Sequence, residues 1–192
     1  MRPLQSDEQL IQEGKQGIES SMELLIKRHY RMVFAYIYRY TGDYHTSYDL
    51  TQETFCKMVR ALGSRDKDKS FPSWLLKIAL NTCRDHYRSG AFKAGQVSQE
   101  WEEGIADPNA LLVDLIERKL ENAVVRSAVM DLPPYQRETI ILRYYHDLKI
   151  KDIADLTSAG ESTVKSRIKQ GLAKLKMLLE RRSPDDRKKT SR

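Results

Sequence analysis

At about 100° per residue, apolar positions along this chain recur at helical spacing almost throughout. No run of alternating β-branched residues bounded by hairpin turns breaks the pattern. The reading is an all-α fold. A first short helix follows the Ser6-Asp7 cap signal and carries Leu10 and Ile11. Gly14 and Gly17 separate it from a longer helix through Met22, Leu25, Ile26, Tyr30, Val33, Phe34, Ile37 and Tyr38, which Gly42-Asp43 ends. A third helix, from about Ser47 to Leu62, is expected to bury Phe55, Met58, Val59 and Leu62. After the charged loop 63–70, a fourth spans about Pro72 to Arg88.

From Ser89 to Pro108 the periodicity dissolves into Gly, Gln, Ser and acidic residues around Trp101, the composition of a linker. Helical spacing resumes near Asn109 with Leu112, Leu115, Ile116, Leu120, Ala123 and Val124. Leu132-Pro133-Pro134 then opens a helix ending near Tyr145. The pattern therefore divides into two small helical domains, 1–90 and 109–180, joined by a flexible linker, 91–108, with a basic, frayed tail at 181–192.

The second domain closes on a helix-turn-helix. Ile150, Ile153, Ala154 and Leu156 form a short apolar stripe, with Ala154 small enough for a close helix crossing. Ser158-Ala159-Gly160 supplies a tight turn in which Gly160 can adopt positive φ. On the helix that follows, Val164, Ile168, Leu172, Leu175 and Leu179 fall on one face, and Ser162, Ser166, Lys169 and Gln170 on the other. In such a motif the second helix enters the major groove. Ser162 and Thr163, beside the free first-turn N–H groups, suit phosphate, while Lys165, Ser166, Lys169 and Gln170 suit bases and backbone. A solvated basic face on an ordinary amphipathic helix is the alternative.

Two faces of the first domain carry further information. Asp49, Gln52 and Glu53 cluster at helical spacing away from Phe55, forming an acidic polar edge that is either a docking surface or a solvated face. On the fourth helix, Trp74, Leu75, Ile78, Ala79 and Thr82 point to the core. Lys77, Asn81, Arg84 and Arg88 instead form a basic stripe with one amide inside it. Cations along a groove neutralise phosphates, and an amide that donates and accepts suits the edge of an unstacked base.

Composition narrows the classes. With a net charge of +6 and a sequence pI near 9.2, the chain favours a polyanionic partner such as DNA. Cys56 and Cys83 lack a paired Cys or His at ligand spacing, and His29, His45, His86 and His146 are scattered. No metal site, cofactor site, P-loop, carboxylate pair or nucleophile–base pair follows, so an enzyme is disfavoured. The start lacks a signal-peptide core, and no apolar stretch could span a bilayer, so a cytoplasmic protein without membrane insertion is expected.

Three motifs in order complete the picture: Asp49-Leu-Thr-Gln-Glu-Thr-Phe55; Phe71-Pro-Ser-Trp-Leu-Leu-Lys-Ile-Ala-Leu-Asn-Thr82 with Asp85 and Arg88; and Leu132-Pro-Pro-Tyr-Gln-Arg137 followed by Thr163-Val-Lys-Ser-Arg-Ile168. Together they make nearly the whole chain resemble the extracytoplasmic-function group of bacterial RNA polymerase sigma factors. The resemblance implies a promoter-specific initiation factor that binds core polymerase through its β′ and β subunits. It implies that Asp49, Gln52 and Glu53 dock on the β′ coiled coil, and that loop 64–70 and Asn81 capture a base flipped from the minus-ten element. Lys77, Arg84 and Arg88 would hold the melted strand, and Ser162, Thr163, Lys165, Ser166, Lys169 and Gln170 would meet the minus-thirty-five element. Control by an anti-sigma factor is implied as well. Lys67, Thr157-Ser158 and Glu161-Ser162 depart from the group's usual Gly, Leu-Gly and Val-Gly. The first half of the resemblance separates this reading from that of a stand-alone helix-turn-helix regulator.

Overall fold

The structure is a computed structural model and describes residues 5–66, 69–89 and 123–182. The expected linker 91–108, the apolar positions Leu112 to Leu120, Lys67 in the charged loop, and the tail beyond Arg182 lie outside the described residues.

Local chemistry sets the helix ends of the first half. In α1 (Asp7–Lys15) the Ser6 hydroxyl accepts from the Gln9 backbone N–H and the Gln9 side chain accepts from the Ser6 N–H, a reciprocal capping box. α2 (Glu19–Thr41) ends on Gly42 at φ 75°, a left-handed conformation that favours glycine. The next residue, Asp43, accepts from Thr46 N at 2.7 Å and starts α3 (Tyr44–Ala61), three residues earlier than periodicity predicts. The reason is that Asp43, read in sequence as part of a helix stop, is also the N-cap of the helix beyond it. A short 3-10 turn follows at Leu62–Ser64. α4 (Phe71–Arg88) is capped by Ser70 and has proline in its first turn.

The second half comprises α5 (Ala123–Met130), α6 (Pro134–Tyr144), α7 (Ile150–Thr157) and α8 (Glu161–Arg182). Among the described residues every regular element is helical. The turn into α8 differs from expectation. Ser158, at φ 54°, takes the left-handed cap conformation, with its own N–H and that of Ala159 bonding to the Ala154 carbonyl, while Gly160 has no positive φ. The chain reverses at the residue that ends α7, so the strained position falls before the glycine.

α8 also packs on a slightly different stripe from the one the sequence marks. Val164 is buried and Ile168 and Leu175 half-buried, but Leu172 is 41% exposed. Gly171 takes its place against α6, where a Cβ would lie 3.0 Å from Ile140 Cγ1. A glycine at a close helix crossing carries no hydrophobic signal, which is why periodicity passes over it.

The two halves pack on each other. α2 meets α3 and α4 on one side and α5 and α6 on the other, while α7 lies against α4. Tyr36, Ile37 and Tyr40 are accordingly buried on several faces of α2, and one apolar cluster runs from Leu10 and Leu25 through Leu80 to Ile141, Ile153 and Val164. Polar contacts seal the junction. The Arg137 guanidinium of α6 donates to the carbonyls of Tyr40 at 2.7 Å and Leu132 at 3.2 Å, and also to that of Met130. It thereby satisfies a last-turn carbonyl of α2, where a cation is also favoured by the helix dipole. Beside it, a Cβ on Gly42 would approach Met130 Cε to 2.9 Å. Arg39 stacks over the Tyr145 ring at 4.5 Å.

The same junction covers His146, whose Nε2 and the neighbouring Tyr36 hydroxyl are buried without a hydrogen-bond partner among the described residues. The two rings meet edge-on at 5.6 Å. Burial, reinforced by the nearby Arg39 cation, pulls His146 from its ordinary 6.5 down to about 4.

Ser158→Gly relieves a left-handed non-glycine residue and should stabilise the protein by about 1 kcal/mol, raising Tm by about 2–4 °C in thermal unfolding. Gly160→Ala has room for its Cβ, 3.8 Å from Ser162 Oγ and 3.9 Å from Thr163 Oγ1, but it replaces the N-cap of α8 with a residue disfavoured there and should lower Tm by about 1–3 °C. For His146 the folded form favours the neutral ring, so its contribution is intact above pH 6.5 and is lost as pH falls from 6.5 toward about 4. The loss should reach about 1.4 kcal/mol per pH unit. Denaturant titrations across that window should show a shallower pH slope for His146→Phe than for the parent.

Candidate nucleic-acid interface

The α4 stripe is one face in sequence but two environments in the fold. Asn81 and Arg88 are exposed. Lys77 and Arg84 turn toward the second half, where Lys77 Nζ lies 3.4 Å from the Asp155 carbonyl of α7. Arg84 grips Glu138 of α6 at two points, Nε to Oε2 at 3.0 Å and Nη2 to Oε1 at 2.7 Å. The Glu138 side chain is 3% exposed, and a second cation, Arg167 of α8, stands 3.7 Å from its Oε1. Arg167 also lies over the Tyr135 ring at 5.6 Å. A carboxylate removed from water to this extent requires such partners. Neither Glu138 nor Arg167 stands out in the sequence: Arg167 lies inside the quoted Thr163–Ile168 motif, and Glu138 is the residue just after the quoted Leu132–Arg137 motif.

The loop before α4 is tied down at its ends. Arg65 is buried, donates to the Lys69 carbonyl at 2.8 Å, pairs with Glu8 of α1 and lies over the Phe71 ring at 5.9 Å. α1 therefore braces the loop from outside it, a connection spacing does not disclose.

On α3 the acidic edge is exposed at all three positions, Asp49, Gln52 and Glu53. Glu53 pairs with Lys57 at 2.7 Å, and Lys57 reaches Thr82 Oγ1 at 3.3 Å and Asp85 at 3.8 Å, linking the edge to α4. Beside the edge runs an open groove lined by Ile26, Gln52, Phe55, Cys56, Val59 and Arg60. Val59, expected in the core, is 46% exposed, because it forms a wall of this groove while Phe55 and Met58 face inward. The Cys83 thiol, by contrast, is fully buried, and burial pushes it up, so it stays protonated.

On α8, Ser162, Thr163, Lys165, Ser166, Lys169 and Gln170 are all exposed. The bond from Val164 N to Gly160 O at 3.0 Å is the first of the helix, so the N–H groups before it have no partner within the helix. The Gln170 amide is held on both sides. Its Nε2 donates to Ser166 Oγ at 3.2 Å, and its Oε1 accepts from Gln136 Nε2 at 3.3 Å. Gln136, on a different helix, was not visible as a partner in sequence.

No described helix is long and apolar enough to cross a membrane. Groups of three or more metal-ligating side chains are likewise absent among the described residues. The first half thus carries an exposed acidic edge beside an apolar groove on α3, and exposed basic and polar positions lie on both α4 and α8.

Comparison with known proteins specifies the class. Residues 25–92 match Sigma-70 region 2 and residues 123–175 match Sigma-70 region 4. The RNA polymerase sigma-H factor of Pseudomonas aeruginosa is 31% identical over 176 residues, covering 85% of this chain and 89% of that protein. The ECF RNA polymerase sigma factor BldN of Streptomyces coelicolor is 29% identical over 182 residues, covering 93% of this chain and 66% of that one. Among solved structures, the sigma factor RpoE in complex with the anti-sigma factor NepR from Bartonella quintana has the same fold. Its TM-score is 0.65 at 20% identity, with 82% of this chain and 96% of that chain covered. The chain belongs to the extracytoplasmic-function group of the sigma-70 family, and it directs transcription by RNA polymerase.

Proposed function

We propose that this sigma factor acts in the cytoplasm and reads its promoters through two separated contacts, α4 on a melted minus-ten strand and the start of α8 on a minus-thirty-five duplex. The observation that carries the reading is Asn81, an exposed amide flanked by the cations of α4 and itself without a hydrogen bond among the described residues. A protein pocket offsets the few kcal/mol needed to unstack a base, and an amide can both donate to and accept from its edge. Lys77, Arg84 and Arg88 supply backbone neutralisation. On α8, Lys165, Ser166, Lys169 and Gln170 are the candidates for base edges, Gln170 pre-oriented by Gln136 and Ser166. Ser162 and Thr163 serve phosphate from the helix N-terminus.

Polymerase docking is assigned to Asp49, Gln52 and Glu53 on the β′ coiled coil, with the Ile26–Val59 groove taking its apolar side chains. The exposed Leu172 and Met177 of α8 offer a second apolar contact, assigned to the β subunit. Control by an anti-sigma factor that competes for these surfaces is part of the proposal; the Bartonella sigma factor of the same fold is in complex with the anti-sigma factor NepR.

Asn81→Ala should lower promoter opening by about tenfold or more, on the scale of about 1–3 kcal/mol for a base-directed contact, while co-purification with core polymerase stays unchanged. Unaltered permanganate reactivity at the start site of a matched promoter would refute the base-reading role. Reversing the docking edge with Glu53→Lys should do the opposite, depressing recovery of core polymerase in pull-down while the helical circular dichroism of the free protein is retained.

A further inference from the structure

Arg84 occupies a contradictory position. On the stripe proposed to hold single-stranded DNA, its Nε and Nη2 are already committed to a nearly buried carboxylate of the other half. A phosphate cannot take the same edge of that guanidinium. With Glu138 of α6 on Arg84 and α7 beside Lys77, two of the four stripe positions face the other half instead of solvent. Glu138 also adds a negative charge where the phosphates would run. The described form thus leaves Asn81 and Arg88 open but withholds Arg84 from a strand on α4.

Opening such an interface normally strands a charge, because a carboxylate built into a packed helix loses its only partner. Here it does not. Arg167, on α8 of the same half as Glu138, already stands 3.7 Å from Oε1 and can close to direct contact once Arg84 leaves. One carboxylate thus has a partner on each side of the interface.

We propose that Glu138 is the latch of an autoinhibited closed form, holding Arg84 while the halves are together and exchanging it for Arg167 when they separate, so that Arg84 is released to DNA only in the open form. The DNA consequence rests on the strand-holding role proposed for α4, whereas the latch rests on the contacts alone. The exchange needs no cofactor or covalent step. It couples the two DNA-binding helices, since the residue freed on α4 and the residue engaged on α8 share one acceptor.

The test uses the full chain carrying spin labels at the native exposed Cys56 and at an introduced Lys176→Cys, Cys83 being buried. Double electron–electron resonance on the parent should give a short, narrow distance distribution. Glu138→Gln removes the charge and Arg84→Lys removes the two-point fork while keeping a cation. Each should raise the population at longer, broader distances about tenfold, the scale of a lost charge-assisted hydrogen bond. Unchanged distributions in both variants overturn the latch. Should Glu138→Gln lose its helical circular dichroism, Arg84→Lys decides alone. In parallel, Glu138→Gln should bind a mixed-sequence single-stranded oligonucleotide several-fold more tightly than the parent. Opened distances with unchanged oligonucleotide affinity uphold the latch and refute the strand-holding role of α4 instead.

Discussion

A carboxylate almost sealed from water has to be paired, and Glu138 is paired with arginines from both halves of the chain. The rest of the closed arrangement is organised around that requirement. Its neighbour Arg137 reaches the other way, to the last-turn carbonyl of Tyr40, so two consecutive residues of α6 engage α4 and the end of α2. Gly42 permits this approach twice over, by ending α2 in a left-handed turn and by leaving room for Met130. The apolar packing beneath is continuous across the junction, with Ile153 and Leu156 of α7 sharing one cluster with Leu80 of α4. Non-directional burial supplies adhesion there, and the charge cluster supplies the register.

The helices and most of their ends were legible because their determinants are local: the Ser6–Gln9 box, Gly42, Ser70 and the Leu132-Pro-Pro turn all act within a few residues. Errors arose where one residue serves two elements or where the signal is an absent side chain. Asp43 reads as a stop but caps the next helix, and Gly171 reads as a weak helix position but is a crossing point. Positive φ at Ser158 rather than Gly160 is a third case, since composition favours the glycine and the geometry of the α7 terminus decides otherwise. Periodicity gives the face a residue occupies, not what lies against that face. Val59 and Leu172 look like core residues for that reason.

The candidate faces show the same division. That Asp49, Gln52, Glu53, Asn81, Arg88 and the polar side of α8 would be exposed followed from spacing. That Arg84 would be engaged by Glu138, separated from it by 54 positions, did not. Nor could spacing tie Gln170 to Gln136 or Arg65 to Glu8, each on another helix or loop. Chemistry on one helix is readable from its own sequence. The state of that chemistry, free or occupied, is a property of the tertiary fold.

The interface is uneven along the stripe it covers. At Lys77 it consists of one ammonium at 3.4 Å from a backbone carbonyl, partly exposed and readily exchanged for water. At Arg84 it is a two-point bond to a carboxylate lacking solvent, among the stronger polar contacts a protein makes. Residue type fits the strand-holding role proposed for both positions. A flexible point charge suffices where backbone phosphate is the only directional need, whereas a planar fork matches carboxylate and phosphate equally well. Arginine at 84 is thus a side chain suited to both the proposed closed and open forms, and in that proposal its competing ligands set the balance between them.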